Sequence, residues 1–424
     1  MTSDPARRRL RRLWRRPISR QLLRAAQEIP CHLVGGALRD QALGEPLRDL
    51  DVVVEQGGRL VAERLSALTA GRLVDLGDDR FAAFRVVLPD LIVDLWDRQG
   101  APLESDLSRR DFTVNSFALE LRSGGIVDPV GGLQDLRRRL LRSTSEGAFE
   151  NDPLRVVRLA RLAGQLRGFS VEPATLLIAR RAAPDLARVA PERVRQELDL
   201  LLQTGAAGRW LEVLVELSLY PQLWSGHAGP ADRTHRAFAT LAELEGQFGR
   251  LSPGRPPAID LAAARMALLF DRLPAAAEDD PIRKLERFQE RGFLTRRAAQ
   301  RVADLLEWRR LPLAQSDQRW FLHRTGRQWP TALCFLGARL EDPGESARWP
   351  RVVEDLLRLE AAAGGEIFDP PPLLDGGQVQ RLLGCPPGPE VGHALRRLRR
   401  RQIEGEIRTR REAEDFVRRC QGPS

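Results

Sequence analysis

The sequence predicts an α+β protein, with a small mixed α/β domain at the front and a longer, all-helical portion behind it. Three observations lead there. Short segments rich in Val, Leu and Ile, with turn residues between them, are confined to roughly residues 26–142. From about residue 143 the apolar residues recur at helical spacing instead. Prolines and glycine-rich breaks such as RLSPGRPPAID and FDPPPLLDGG divide that later portion into separate helices. With 424 residues the chain is long enough for two to four domains with substantial cores.

Residues 1–25 open on RRRLRRLWRR and form a basic arm, read as a solvated first helix. The segments CHLVG, LDVVVE, GRLVDLG, AAFRVVL and LIVDLWD then read as strands, with GALRDQALG and RLVAERLSALTA as helices. Beyond residue 143, NDPLRVVRLARLAGQLR, TLLIARRAAPDLARVAPERVRQELDLLL, AGRWLEVLVELSLYPQLW and VVEDLLRLEAAA read as helices. No run approaches about 18 consecutive apolar residues, so no membrane partner is expected.

The four cysteines, Cys31, Cys334, Cys385 and Cys420, are too far apart for a zinc knuckle or a CxxC pair and read as reduced thiols in a cytoplasmic protein. The five histidines do not cluster either, so catalysis should rest on carboxylates and arginines. The formal charge is +9 and Lys284 is the only lysine. A net positive field attracts polyanions, and arginine grips phosphate bidentately and stacks on bases. Nucleic acid is the partner that charge favours.

The stretch HLVGGALRDQALGEPLRDLDVVVE, residues 32–55, is the richest in chemistry. LDVVVE reads as a strand entered from a turn, so Asp49 and Asp51 share one face while Leu50 points the other way. Two carboxylates that close resist joint ionisation unless a cation lies between them. Mg²⁺ suits such a pair, being a hard ion commonly shared with substrate phosphates. Upstream, Gly35 and Gly36 let backbone N–H groups approach a phosphate at the start of a helix. Arg39, one turn on, adds a charged fork to the same anion.

GGALRD followed by LGEPLRDLD resembles the first motif of the class II tRNA nucleotidyltransferases, the CCA-adding enzymes, and of their bacterial poly(A) polymerase relatives. Four further stretches carry the same resemblance in the family's order. SRRDFTVNSFAL is similar to RRDFTxNA and DPVGGLQDLRRRLLR to DPxGGxxDL; NDPLRVVRLARL is similar to EDPxRxLRxxRF and APERVRQEL to ERxxxE. A weaker match, LDGGQVQRLLGCPPGPEVGHAL, resembles a segment near the C-terminus of such proteins. The resemblance implies a polymerase-β-like nucleotidyltransferase head over 26–142, a helical neck with the base-recognition helix over 143–205, and a helical body and tail for tRNA binding over 206–424.

It further implies nucleotide contact by Arg110 and Asp111; Asp111 and Asn115, four residues apart, face the sugar or brace the site. On the neck, Asp152, Arg155, Arg158 and Arg161 step three residues at a time around a helix. Asp accepts from an amino group and Arg donates to a ring nitrogen. Cytosine and adenine both present an amino donor beside an acceptor nitrogen, so Asp152 with Arg155 admits CTP and ATP and disfavours GTP and UTP. Arg158 and Arg161 serve the phosphates or hold the helix. Asn151 stands where the family usually has Glu. A third catalytic carboxylate is expected from a later strand, with Asp94 the candidate and Asp97 the runner-up. The connection DRQGAPLESDLS is short for the family, which points toward an enzyme that adds only part of CCA.

The expectation is therefore Mg²⁺-dependent, template-independent transfer of CMP and/or AMP from CTP and ATP to a tRNA 3′ end. Poly(A) addition is the rival within the same chemistry. An RNA-binding protein on a degenerate transferase fold is the rival from another class.

Overall fold

The computed structural model describes residues 4–77, 83–98, 100, 102–204, 207–224, 231–252, 258–272 and 280–420. Ala82, which opens the AAFRVVL segment, and 253–257 of the RLSPGRPPAID break lie outside them. The chain divides into two compact units, Met1–Glu197 with Glu212–Gln222 and Leu198–Leu211 with Leu223–Ser424.

The first unit begins with two helices, α1 (Pro5–Trp14) and α2 (Pro17–Ala26), each with proline in its first turn, where the missing N–H costs nothing. They are not free of the head: Leu10, Leu13 and Leu22 are fully buried, α1 packs on α3 (Gly36–Leu43) and α2 on α4 (Gly58–Thr69). Each buried leucine contributes about 1.5–3 kcal/mol to that docking. The Trp14 indole N–H donates to the Leu121 carbonyl at 2.9 Å. The arginines of this stretch line the outer side, with Arg8, Arg11, Arg12, Arg15 and Arg16 exposed.

A seven-stranded mixed sheet forms the centre of the unit. Its strands are β1 (Cys31–Val34), β2 (Asp49–Val54), β3 (Arg72–Asp75), β4 (Ala83–Val87), β5 (Ile92–Asp97), β6 (Ala118–Glu120) and β7 (Ile126–Val127), in the order β3-β4-β5-β2-β1-β6-β7. Only the β2–β5 pair is parallel; the rest are antiparallel. All five strand segments picked out from the sequence are present. The two-to-three-residue strands β6 and β7 are too short to carry an alternation signal of their own. One face of the sheet is covered by α5 (Leu103–Ser108), where Leu103 and Leu107 pack with Val34, Val53 and Ala118. Leu50, Val52 and Val54 point to the opposite face and are fully buried.

The remainder of the unit adds a short parallel pair, Leu140–Leu141 with Ser170–Val171, and the helices α6 (Gly132–Arg138), α7 (Ala148–Asn151), α8 (Arg155–Gln165) and α9 (Pro173–Ala182), with α10 (Pro191–Leu202) starting within it.

The second unit is built from helices. Its core includes the helix Trp329–Arg339, where every residue from Trp329 to Ala338 is buried. The Phe248 ring lies 5.2 Å from that of Trp329 and 6.2 Å from that of Trp349. Helices Gly376–Leu383, Pro389–Glu404 and Arg410–Arg419 enclose a smaller core of Val379, Leu398, Ala413 and Val417. Asp375 and Thr409 close capping boxes at two of them. No helix among the described residues is long and apolar enough to cross a membrane.

Candidate active site

The site grows from the register of three neighbouring strands. β2 places Asp49 and Asp51 on one face, and parallel pairing sets Asp94 of β5 beside Asp51. Antiparallel pairing sets Arg85 of β4 beside Asp94. Arg85 grips Asp94 with both ends of its fork, Nε to Oδ1 at 2.7 Å and Nη2 to Oδ2 at 2.8 Å. Asp97, the runner-up, instead accepts from the Gly58 N–H at 2.6 Å and so caps α4.

Val34 at the end of β1 lies opposite Asp51, and the chain then turns at Gly35 into α3. Gly35 has φ 81°, and a Cβ there would collide with the Asp51 carboxylate. Glycine is needed for both reasons, the left-handed backbone and the close approach. The outcome is a carboxylate seated against the start of a helix, an end whose first N–H groups have no intrahelical partners and favour an anion.

Burial, then repulsion from Asp49, push the Asp51 carboxyl up to about 6; Arg110 and Arg39 pull the other way and Asp94 adds to the rise. Asp49 is also raised, by burial and then by Asp40 and Asp94, against the pull of Arg39. This negative charge packed without full compensation is what a divalent cation would neutralise, and the hard oxygen donors of Asp49 and Asp51 suit Mg²⁺. Among the described residues no three His, Cys, Asp or Glu side chains converge as a closed cage. A pair of carboxylates with open positions fits an ion that shares its remaining ligands with phosphate.

Arg39 is almost wholly buried. Its Nε donates to Asp40 at 2.7 Å and its Nη1 to Asn115 Oδ1 at 2.8 Å. Asn115 Nδ2 passes the chain on to Asp111 Oδ1 at 3.1 Å, and Arg158 Nη1 reaches Asp111 Oδ2 at 3.3 Å. Arg158 Nε and Arg161 Nε then share Glu197, at 2.9 and 2.7 Å. One continuous polar chain therefore runs from α3 through the RRDFTVN segment to α8 and α10. Burial works to raise the Asp111 carboxyl, but Arg158, the Asn115 and Phe112 N–H donors and Arg155 bring it below the usual carboxylate range. These bonds tie Asp111 to Asn115 and tie Arg158 and Arg161 of α8 to Glu197 of α10.

Arg110 leans on Asp106 at 3.0 Å, with its charge felt at Asp51. Its carbonyl is held by the Thr144 hydroxyl at 2.6 Å and by Arg155 Nη1 at 3.1 Å. Arg155 also clasps the carbonyls of Ala148 and Arg109, at 3.1 and 2.9 Å. Its Nε–H is buried with no partner among the described residues. Asp152 is not on α8, as the three-residue spacing suggests, but in the turn before it, because Pro153 follows and α8 starts at Arg155. Its Oδ2 accepts from Arg193 at 3.0 Å. Asn151 is exposed.

The DPVGGLQDL segment supports these groups from behind. Asp128 accepts from the N–H groups of Gly132 and Leu133 at the head of α6, at 2.7 and 3.0 Å. Buried Asp135 accepts from the Thr113 hydroxyl at 2.6 Å and from Arg142 at 2.9 Å. A Cβ at Gly132 would collide with the Thr113 carbonyl.

The family described as "Poly A polymerase head domain" matches residues 82–142, and "Probable RNA and SrmB- binding site of polymerase A" matches 168–228. The CC-adding tRNA nucleotidyltransferase of Geobacter sulfurreducens is 31% identical over 91% of this chain and 90% of its own length. The A-adding tRNA nucleotidyltransferase of Deinococcus radiodurans is 34% identical over 91% of this chain and 94% of its own. The chain belongs to the tRNA nucleotidyltransferase family. A solved CCA-adding enzyme in its apo form II shares the fold, with TM-score 0.67 at 20% identity over 96% of this chain and 95% of that one.

Several members of this tRNA nucleotidyltransferase's site carry no signal of their own in the sequence. Arg85 reads only as a polar residue in a strand, and its role depends on a register that links β4 to β5. Asp106 lies in the short connection before the RRD motif, of which 99 and 101 are outside the described residues. Glu197 and Arg193 both lie in APERVRQEL, a stretch whose resemblance was visible but whose partners were not. In the RRLRRRQ stretch the arginines are not all free for RNA: Arg399 pairs with Asp369 at 2.7 Å, Arg400 with Glu404 at 2.8 Å, and Arg401 with Glu406.

Proposed function

We propose that this enzyme transfers CMP and/or AMP from CTP and ATP to the 3′ end of tRNA in the cytoplasm and releases pyrophosphate. The observation that carries the reading is the Asp49–Asp51 pair, seated against the Gly35–Gly36 start of α3 within reach of the Arg39 and Arg110 charges.

In this reading Asp49 and Asp51 hold Mg²⁺, which would lower the pKa of the attacking 3′-hydroxyl and offset charge on the leaving pyrophosphate. The 3′-hydroxyl attacks the α-phosphate of the bound nucleotide. The N–H groups at Gly35 and Gly36 donate to triphosphate oxygens, and Arg39 and Arg110 balance their charge. Asp111 keeps Asn115 and Arg158 in place. On the neck, Arg155 would supply a donor and Asp152 an acceptor toward a base. That combination matches the amino-plus-ring-nitrogen edge of cytosine and adenine and leaves GTP and UTP with opposed groups. Arg158 and Arg161, engaged with Glu197, set the tilt of α8. The helices of 206–424 would hold tRNA by shape and phosphate.

Addition of only part of CCA is a second reading. It is favoured by the short DRQGAPLESDLS connection and by the CC-adding and A-adding activities of the two relatives aligned over nine-tenths of the chain. One assay separates these outcomes. Purified protein with Mg²⁺ receives a tRNA transcript lacking CCA, ending in one C, or ending in CC, with CTP, ATP or both. Growth that stops at CCA establishes complete addition, and growth confined to CC or to the final A establishes a divided pathway. A long adenosine ladder would reassign the enzyme to poly(A) polymerase, and no Mg²⁺-dependent incorporation would leave only an RNA-binding protein.

A further inference from the structure

Next to the Asp49–Asp51 pair lies a second charged pair that the proposed reaction does not use. Asp51, Asp94 and Arg85 stand in one row across β2, β5 and β4, fixed by strand register rather than by flexible loops. Both Asp94 oxygens are taken by the Arg85 fork, at 2.7 and 2.8 Å. A bidentate guanidinium occupies the same in-plane lone pairs that a chelating cation would need. The pair is partly shielded, with Asp94 at 24% and Arg85 at 39% side-chain exposure. Arg85 thus cancels one of the three negative charges that would otherwise crowd this face.

We propose that Arg85 is a positioning residue that holds Asp94 as an ion pair beside Asp51, so that the divalent cation is bound by Asp49 and Asp51 alone. This rests on the reading that Asp49 and Asp51 hold such a cation. Its consequence is a loosely caged ion with open positions for phosphate oxygens, as a nucleotide-transfer site requires. A third carboxylate free to ligate would tighten the cage and compete with those oxygens. Arg85 therefore tunes how firmly the empty enzyme holds metal, without touching substrate.

The test is Mn²⁺ binding to the full chain without nucleotide, followed by electron paramagnetic resonance. Asp94→Asn in the otherwise unchanged protein leaves Mn²⁺ affinity near its starting value. Arg85→Met releases Asp94 and tightens Mn²⁺ binding by about tenfold, on the scale seen when groups around a metal ligand are altered. Adding Asp94→Asn to Arg85→Met removes that gain. Arg85→Lys keeps the charge but loses the fork and falls between the two, and it serves if the methionine variant does not fold. If Asp94→Asn weakens Mn²⁺ as severely as Asp51→Asn, Asp94 is a ligand and the inference is overturned. Unchanged affinity in the Arg85 variants overturns it as well. If Asp51→Asn itself leaves Mn²⁺ binding intact, the metal reading of Asp49 and Asp51 has failed, a different result from either.

Discussion

Asp51→Asn should make the protein more stable while abolishing nucleotide incorporation. The Asp51 carboxyl is pushed from an ordinary value of 3.8 to about 6 by burial and by Asp49. That rise of about two pKa units corresponds, at about 1.36 kcal/mol each, to at most about 3 kcal/mol of destabilisation once Asp51 is ionised. The sign follows from proton uptake. Between about pH 4 and 6 the folded protein holds the Asp51 proton and the unfolded chain does not, so stability falls as pH rises through this window. Asn has nearly the same shape and no charge, so its curve should lack that fall. Calorimetric melts at pH 5 and 7.5 in EDTA would show the variant gaining at pH 7.5, by about 2–4 °C for each kcal/mol in a unit of this size. Added Mg²⁺ should raise the melting temperature of the unaltered protein at pH 7.5 and leave the variant unmoved. A variant less stable than the parent at pH 7.5 in EDTA would refute the reasoning.

Protons and Mg²⁺ compete for the same carboxylates, so incorporation at limiting Mg²⁺ should decline as pH falls through about 6 and recover when Mg²⁺ is raised; a decline that excess Mg²⁺ leaves untouched would point to another group. Gly35→Ala puts a side chain at a positive φ and against the Asp51 carboxylate, so it should cost about 1–3 kcal/mol of stability and most of the activity in single-nucleotide extension. Glu197→Gln withdraws the charge that Arg158 and Arg161 share and leaves Arg158 only its Asp111 partner, which should lower stability by about 1–3 kcal/mol, with KM for CTP and ATP both raised. Neutralising Arg8, Arg11, Arg12 and Arg15 together should weaken tRNA binding and flatten its salt dependence, leaving the melting temperature unchanged because all four side chains face solvent.

Local patterns made the head legible. Alternation in LDVVVE placed Asp49 and Asp51 on one face, and each of the five longer β-type segments became a strand because its Val and Leu content fits a half-buried pleat. The resemblance of the RRD, DPxGG and NDPLR stretches carried the family and pointed to Arg110, Asp111 and the neck. Partnership across long sequence distances was not legible. Arg39 meets Asn115 across 76 positions and Arg158 meets Glu197 across 39, and no periodicity encodes such contacts. The spacing of Asp152 and the arginines suggested one helix carrying all four, yet Pro153 resets the chain and puts Asp152 in the turn. The N-terminal arginine run read as a solvated helix, while Leu10, Leu13 and Leu22 between the charges anchor it to the head.

The chain of alternating acids and bases from Asp40 to Arg161 constrains how this protein can change over generations. Asp40, Arg39, Asn115, Asp111, Arg158, Glu197 and Arg161 pass hydrogen bonds along one line, with Arg39, Asp111 and Glu197 buried and the others half-buried. Replacing any one member strands the next, since a buried group left unpaired costs more than the bond itself was worth. Tolerated exchanges should therefore arrive in complementary couples, an acid and a base together, and the linkage would drift as a unit. Randomised libraries over these positions, selected for growth, would reveal it as correlated survivors where the exposed arginines of α1 vary independently.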